Sequence, residues 1–154
     1  MRRFGRSATW AIGVCGSGVT DYLLDTSFLI ALFNEVADRN TGPARRFRAL
    51  MPARARLYVS IVALAEILEG AENPDEAERQ LMSMAILLGL HRQHARRAGM
   101  IQRRARTEGS KMGENDAWIA ATAALGHLKL VGDDDNAFAG RSGIAYANFR
   151  TEPV

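Results

Sequence analysis

Cysteine is almost absent from this chain: Cys15 is the only one in 154 residues. That excludes an intramolecular disulfide and a cysteine-built metal cage. Histidine is nearly as scarce. His91, His94 and His127 follow no zinc-ligand spacing, and each reads as a surface residue. No apolar run approaches the roughly 18 residues that span a bilayer. The longest, Leu81 to Leu90, is interrupted by Ser83 and Gly89, so no membrane partner is expected. A secretory signal is disfavoured too. The weakly apolar stretch after Arg2, Arg3 and Arg6 is broken by Gly13, Gly16, Ser17 and Gly18, with no clear small-residue cleavage site. Residues 1–20 read as a flexible N-terminal extension, 21–150 as the domain, and the location as cytoplasmic. No internal repeat or linker divides that domain.

Charge is present but unevenly spread. The net charge is only +3. Arg45, Arg46, Arg48, Arg54 and Arg56 form one basic stretch, and Arg92, Arg96, Arg97, Arg103, Arg104, Arg106 and Lys111 form another. Such stretches suit either a solvated helix face or a polyanionic partner.

Short apolar runs alternate with helical segments. Strands are expected at 22–24, 57–59, 85–89, 128–131 and 144–149. Helices are expected at 27–35, from Pro43 to about Met51, from Ser60 to about Glu69, and at 74–84, 92–107 and 114–126. Pro43 suits a first helical turn, Ser60 an N-cap, and Gly70 and Gly126 C-terminal stops. Alternating strands and helices predict one α/β domain with a central, mainly parallel sheet flanked by helices.

Four acidic points stand out against this background. Asp25 ends the first strand in Tyr22-Leu-Leu-Asp25-Thr-Ser27, where open α/β sheets place ligands. Read alone, Asp25 or Ser27 is an ordinary helix cap. Glu66 lies inside Ile61-Val-Ala-Leu-Ala-Glu66-Ile-Leu68, apolar almost all round and so expected to be buried. Three or four residues from it stand Val62, Ala63, Glu69 and Gly70, none of them a cation, so Glu66 points outward past its neighbours, pairs with a distant Arg, or faces a bound cation. Asp116 opens an alanine-rich helix and also lacks a cation at those spacings. Asp133, Asp134 and Asp135 crowd one turn after a strand, and their repulsion is relieved most directly by a cation. Gathered at one sheet edge, these oxygens suit Mg²⁺ or Mn²⁺. Asp25 then anchors a shared site, and capping falls to Thr26 or Ser27. The apolar Phe28, Ile30, Leu32 and Phe33 serve a core or an interface, with core the default.

The order Leu-Leu-Asp25-Thr-Ser27, Glu66-Ile-Leu-Glu-Gly70, Asn115-Asp116-x-x-Ile119-Ala-Ala, apolar strand, acidic turn resembles the PIN domain over about residues 21–149, and within it the VapC-type toxins. The resemblance implies a PIN-like three-layer fold and a Mg²⁺-dependent, alternatively Mn²⁺-dependent, ribonuclease. It further implies an RNA substrate, a cognate antitoxin protein and a homodimer. Carried over by position, Asp25, Glu66 and Asp116 are the first three catalytic, metal-binding acids and Asp134 the fourth, with Asp133 and Asp135 as alternates. Thr26 or Ser27 would order a water or a phosphate nearby. The chain departs from the family pattern at Gly132, where a Thr is usual, and at Asn136 and Ala137, where a further acid is expected before Phe138. Two other functions fit the residues: a PIN-domain nuclease outside a toxin pair, in RNA processing or repair, and a non-catalytic nucleic-acid-binding domain.

Overall fold

Tyr22, Leu23 and Leu24 are buried at the centre of a sheet, as a continuous apolar run bounded by polar residues predicts. The computed structural model describes residues 18–152. Residues 1–17, with Cys15 and most of the expected extension, lie outside that range. The elements run β1 (Tyr22–Leu24), α1 (Thr26–Ala37), α2 (Pro43–Leu50), β2 (Leu57–Ser60), α3 (Ile61–Gly70), α4 (Pro74–Met84), β3 (Ile86–Leu88), α5 (Arg92–Thr107), α6 (Glu114–Gly126), β4 (Lys129–Gly132), α7 (Asp135–Phe138) and β5 (Tyr146–Asn148). The sheet has the order β3-β2-β1-β4-β5. Every pairing in it is parallel. Tyr22 stands opposite Leu57 on one side and Lys129 on the other.

That order carries the functional consequence. From β1 the chain moves outward to β2, whereas from β4 it moves outward to β5 on the other side. β1 and β4 are therefore neighbours whose onward connections diverge. In open parallel sheets this switch point leaves a crevice at the carboxyl ends of the strands. Asp25 follows β1 there, and the acidic turn follows β4.

The core seals the sheet beneath that edge. Phe28 is fully buried and meets Phe47 of α2 and Phe149 edge-to-face, at centroid distances of 6.0 and 5.2 Å. This geometry suits the aromatic quadrupole and ties α1 to α2 and to the chain after β5. In α6 the alanines at 117, 120, 121 and 123 are buried. Their small size lets α6 lie close on α5 and β4.

Local chemistry explains several helix starts. Ser60 Oγ accepts the Ala63 N–H at 3.1 Å, and Asn73 Oδ1 accepts that of Glu76 at 3.2 Å. Both are N-caps. α2 has no such cap of its own. Instead the buried Glu35 of α1 accepts the Ala44 N–H at 3.0 Å and the Arg45 N–H at 2.8 Å. Gly42 is required beside it, because a Cβ there would overlap the Glu35 carboxylate.

Several sequence expectations need correction. α3 is not buried all round: Ile61 and Ala65 are exposed, because only one side of the helix packs on the core. Ile30 points outward at 48% exposure, while Phe28 and Leu32 are buried. His94 is buried, not a surface residue, and its Nδ1 accepts the His91 N–H at 3.0 Å. Gly70 and Gly126 do end their helices, as expected. The left-handed residue after α6 is His127, at φ 51°. Gly126 serves close approach: a Cβ would come within 3.0 Å of Leu128 Cγ. The acidic turn also contains α7, a helix of 4 residues that its run of polar residues did not announce.

Candidate metal centre at the switch point

Asp25 is 6% exposed, fixed between β1 and β4 by its own N–H to the Val131 carbonyl at 2.9 Å. It occupies the N-cap position of α1; its side chain makes no full cap hydrogen bond, although the nearby Thr26 and Ser27 N–H groups favour its ionised form. Neither Thr26 nor Ser27 takes over that role, since both are already helical. Ser27 Oγ instead donates to Asp25 Oδ2 at 2.9 Å and accepts the Asp133 N–H at 3.3 Å. One hydroxyl thus joins the first acid to the turn after β4. Gly132 makes the approach feasible. A Cβ at that position would lie 3.1 Å from Asp25 Oδ2 and 3.3 Å from Ser27 Oγ, so a Thr there would crowd both.

Glu66 is half-buried on α3, with both carboxylate oxygens engaged. Thr26 Oγ1 donates to Oε2. Asn115 Nδ2 donates to Oε1 at 2.8 Å. These donors are the immediate neighbours of Asp25 and Asp116, so three helices meet at Glu66.

The electrostatics tie the acids together. Burial raises the Asp25 carboxyl to about 6; Asp116 adds to the rise, and the Ser27 hydroxyl opposes it. Burial likewise raises Asp116, followed by the charges of Asp134 and Glu66. Asp116 therefore acts on Asp25 and is itself acted on by Asp134 and Glu66. The described ion pairs involve Asp21, Glu76, Glu108 and Asp133, and none reaches these four acids. A cluster of carboxylates with no protein cation raises its own proton affinity.

The three acids of the turn are separated by their partners. Asp133 Oδ2 pairs with Arg150 Nε at 2.8 Å. Asp135 Oδ1 accepts from Tyr146 Oη at 3.0 Å and Asn148 Nδ2 at 2.9 Å. That places Asp135 against β5, and the Tyr146 hydroxyl is held well above its ordinary value, by burial first and then by Asp135. Asp134 caps α7 through Oδ1, which accepts the Ala137 N–H at 3.0 Å. It is the acid of the turn whose charge acts on Asp116.

Oxygen donors without nitrogen or sulfur suit a hard divalent cation, and the unrelieved repulsion at Asp25 and Asp116 suits one too. As the side chains stand, no three Asp, Glu, His or Cys groups among the described residues are close enough to enclose an ion.

The family model for the PIN domain matches residues 22–143. The chain belongs to the PIN-domain family. Among solved structures, the PIN domain here is similar to VapBC2 from Rickettsia felis bound to a promoter DNA fragment. That match has a TM-score of 0.70 and 18% identity over 84% of this chain and 98% of the other. VapBC-1 from nontypeable Haemophilus influenzae matches with a TM-score of 0.66 and 23% identity over 84% and 98%. VapBC-5 from Mycobacterium tuberculosis, a member of the VapBC family of toxin-antitoxin systems, matches with a TM-score of 0.62 and 24% identity over 84% and 98%. At these identities the likeness is one of fold. No curated protein sequence matches the chain.

Within this PIN domain, sequence reasoning missed the hydrogen-bond partners of the acids. From the sequence, Thr26 and Ser27 suit capping or the ordering of a water or phosphate; in the fold both hydroxyls donate to carboxylates. Asn115 appeared only as part of a motif. Arg141 was not singled out. Its Nε donates to the Ala137 carbonyl at 2.7 Å, and its guanidinium also reaches Ser110 Oγ at 2.9 Å. It thereby links the end of α7 to the loop that precedes Asp116. Adjacency to an acid was the available signal for Thr26, Ser27 and Asn115; nothing local marks Arg141.

Proposed function

We propose that this PIN domain is a metal-dependent endoribonuclease, the toxin of a toxin–antitoxin pair, with Asp25, Glu66, Asp116 and Asp134 as its catalytic acids. The observation that carries the reading is the gathering of acids at the switch point: Asp25 and Asp116 are raised first by burial and then by neighbouring carboxylates, and none of the four acids has an ion pair among the described residues. Asp25, Glu66, Asp116 and Asp134 would hold Mg²⁺ or Mn²⁺. What such a cation supplies when bound is Lewis acidity, which activates water and offsets charge on a phosphodiester. Ser27 orients Asp25. Arg92, Arg96, Arg103 and Arg106 lie exposed along α5 and take part in no ion pair among the described residues. They suit the backbone phosphates of RNA, whose binding would weaken steeply with salt. Single-stranded or loop RNA is favoured, since its bases and phosphates are accessible. An antitoxin protein as partner is supported by the toxin-antitoxin complexes among the fold neighbours; a homodimer belongs to the same reading.

A second reading is a PIN domain that binds nucleic acid without cutting it. The spread of the carboxylates, too wide to enclose an ion as they stand, favours it. Cleavage decides between them. The antitoxin-free chain should cut an RNA pool with Mg²⁺ or Mn²⁺ and stop with chelator. Asp116→Ala should lose at least ~10²-fold in rate, the scale of removing one electrostatic stabiliser. Metal-independent cutting, or full activity in Asp116→Ala, sinks the proposed site. Folded protein that binds RNA and leaves every pool intact establishes the second reading.

The acidic turn gives a sharper test. Asp134→Asn should reduce cleavage, whereas Asp135→Asn should lower thermal stability and leave the rate per folded molecule unchanged. The reason is that Asp135 is committed to Tyr146 and Asn148. Loss of cleavage in Asp135→Asn at unchanged stability would exchange their roles.

A further inference from the structure

Building on the metal-dependent reading, we infer that Thr26 and Asn115 are positioning residues for Glu66. They fix its carboxylate from two sides, so that the segments bearing Asp25 and Asp116 also set the third acid. A Glu carboxylate ends a side chain with three rotatable bonds, and one on a half-exposed helix face is ordinarily free to sample several rotamers. Here Oε2 accepts from Thr26 Oγ1 and Oε1 from Asn115 Nδ2 at 2.8 Å. Both donors act on one carboxylate, from α1 and from α6, while Glu66 itself stands on α3. Their sequence distances from Glu66 are 40 and 49 residues, so the junction is tertiary and not a feature of any one helix.

The arrangement is compatible with cation binding. An ionised carboxylate has about four acceptor sites, so each oxygen accepts one of these bonds and keeps a lone pair. Hydrogen bonds to a ligating carboxylate lower the cost of ordering it, and loss of such partners in known metal sites typically weakens metal binding ~10–100-fold. A cross-brace without this role would also use Thr and Asn. The difference is that a brace stabilises the fold alone, whereas positioning residues change affinity for the cation.

The test uses the full chain and Mn²⁺ as the probe, with binding followed by calorimetry and the melting temperature of the metal-free protein measured alongside. Thr26→Val and Asn115→Ala should each weaken Mn²⁺ binding by ~10–100-fold. Thr26→Ser, which keeps the hydroxyl, should bind within a few-fold of the parent, about the loss expected when a donor is retained. Unchanged Mn²⁺ affinity in both Thr26→Val and Asn115→Ala, with only the melting temperature lowered, overturns the inference and leaves the metal reading in place. Failure of the unsubstituted chain to bind Mn²⁺ overturns the metal reading, and the inference falls with it.

Discussion

Asp25→Asn is expected to abolish cleavage and yet raise the melting temperature of the metal-free protein near neutral pH. The Asp25 carboxyl is held at about 6 against an ordinary 3.8, chiefly by burial and further by Asp116. Its folded-state value is above its unfolded value, so the native state binds the proton more tightly. Folding therefore carries no penalty from this group below about pH 4. The penalty grows as pH rises from about 4 to 6 and is complete above that. A difference of this size corresponds to ~3 kcal/mol. Asparagine keeps the shape and an oxygen for the Ser27 hydroxyl, and it removes the charge. Its amide must still find partners, so a gain of ~1–2 kcal/mol at pH 7.5 is expected, or about 2–8 °C for a chain of this length. At pH 4 the two proteins should melt alike. Divalent metal should then stabilise the parent by mass action and Asp25→Asn far less. A variant that melts below its parent at pH 7.5 would show that the buried charge is not a source of strain. One that retained cleavage would remove Asp25 from the chemistry.

The same residue shows why the site was partly legible in the sequence. Asp25 was visible because it ends a strand, and Glu66 and Asp116 because no cation stands three or four residues from either. Helix starts were equally visible, since Pro43, Ser60 and Pro74 act within three residues of themselves. The acidic turn was not divisible by such means. Its Asp133 is claimed by Arg150, 17 residues away, and Asp135 by Asn148, 13 residues away. Only the fold of β5 beside β4 brings those side chains in. Gly132 is a related case. By resemblance it was a missing Thr; in three dimensions it is the space into which Asp25 and Ser27 pack. Likewise α3 looked buried from composition, because periodicity alone does not distinguish an apolar face that meets the core from one that meets solvent.

The largest stability loss is expected from Glu35→Ala. The buried Glu35 carboxylate is the N-cap of a helix other than its own, and it takes the N–H groups of both Ala44 and Arg45. Hydrogen bonds to a charged acceptor contribute ~1.5–3 kcal/mol each, and a buried N–H left without a partner costs more than a bond exchanged with water. The helix dipole of α2 also loses its anion. Because Arg45 is partly solvated, water recovers some of this. About 3 kcal/mol is the expected loss, read as a fall of roughly 6–12 °C in melting temperature. Gly42 supplies the control. In the parent, Gly42→Ser is destabilising, because its Cβ overlaps the Glu35 carboxylate. In Glu35→Ala that space is open, and a serine at the N-cap can accept an N–H of the first turn, which is worth ~1 kcal/mol. Gly42→Ser should therefore change sign between the two backgrounds, harmful in one and restorative in the other. Equal damage in both would mean that Glu35 acts by filling volume and not as the cap.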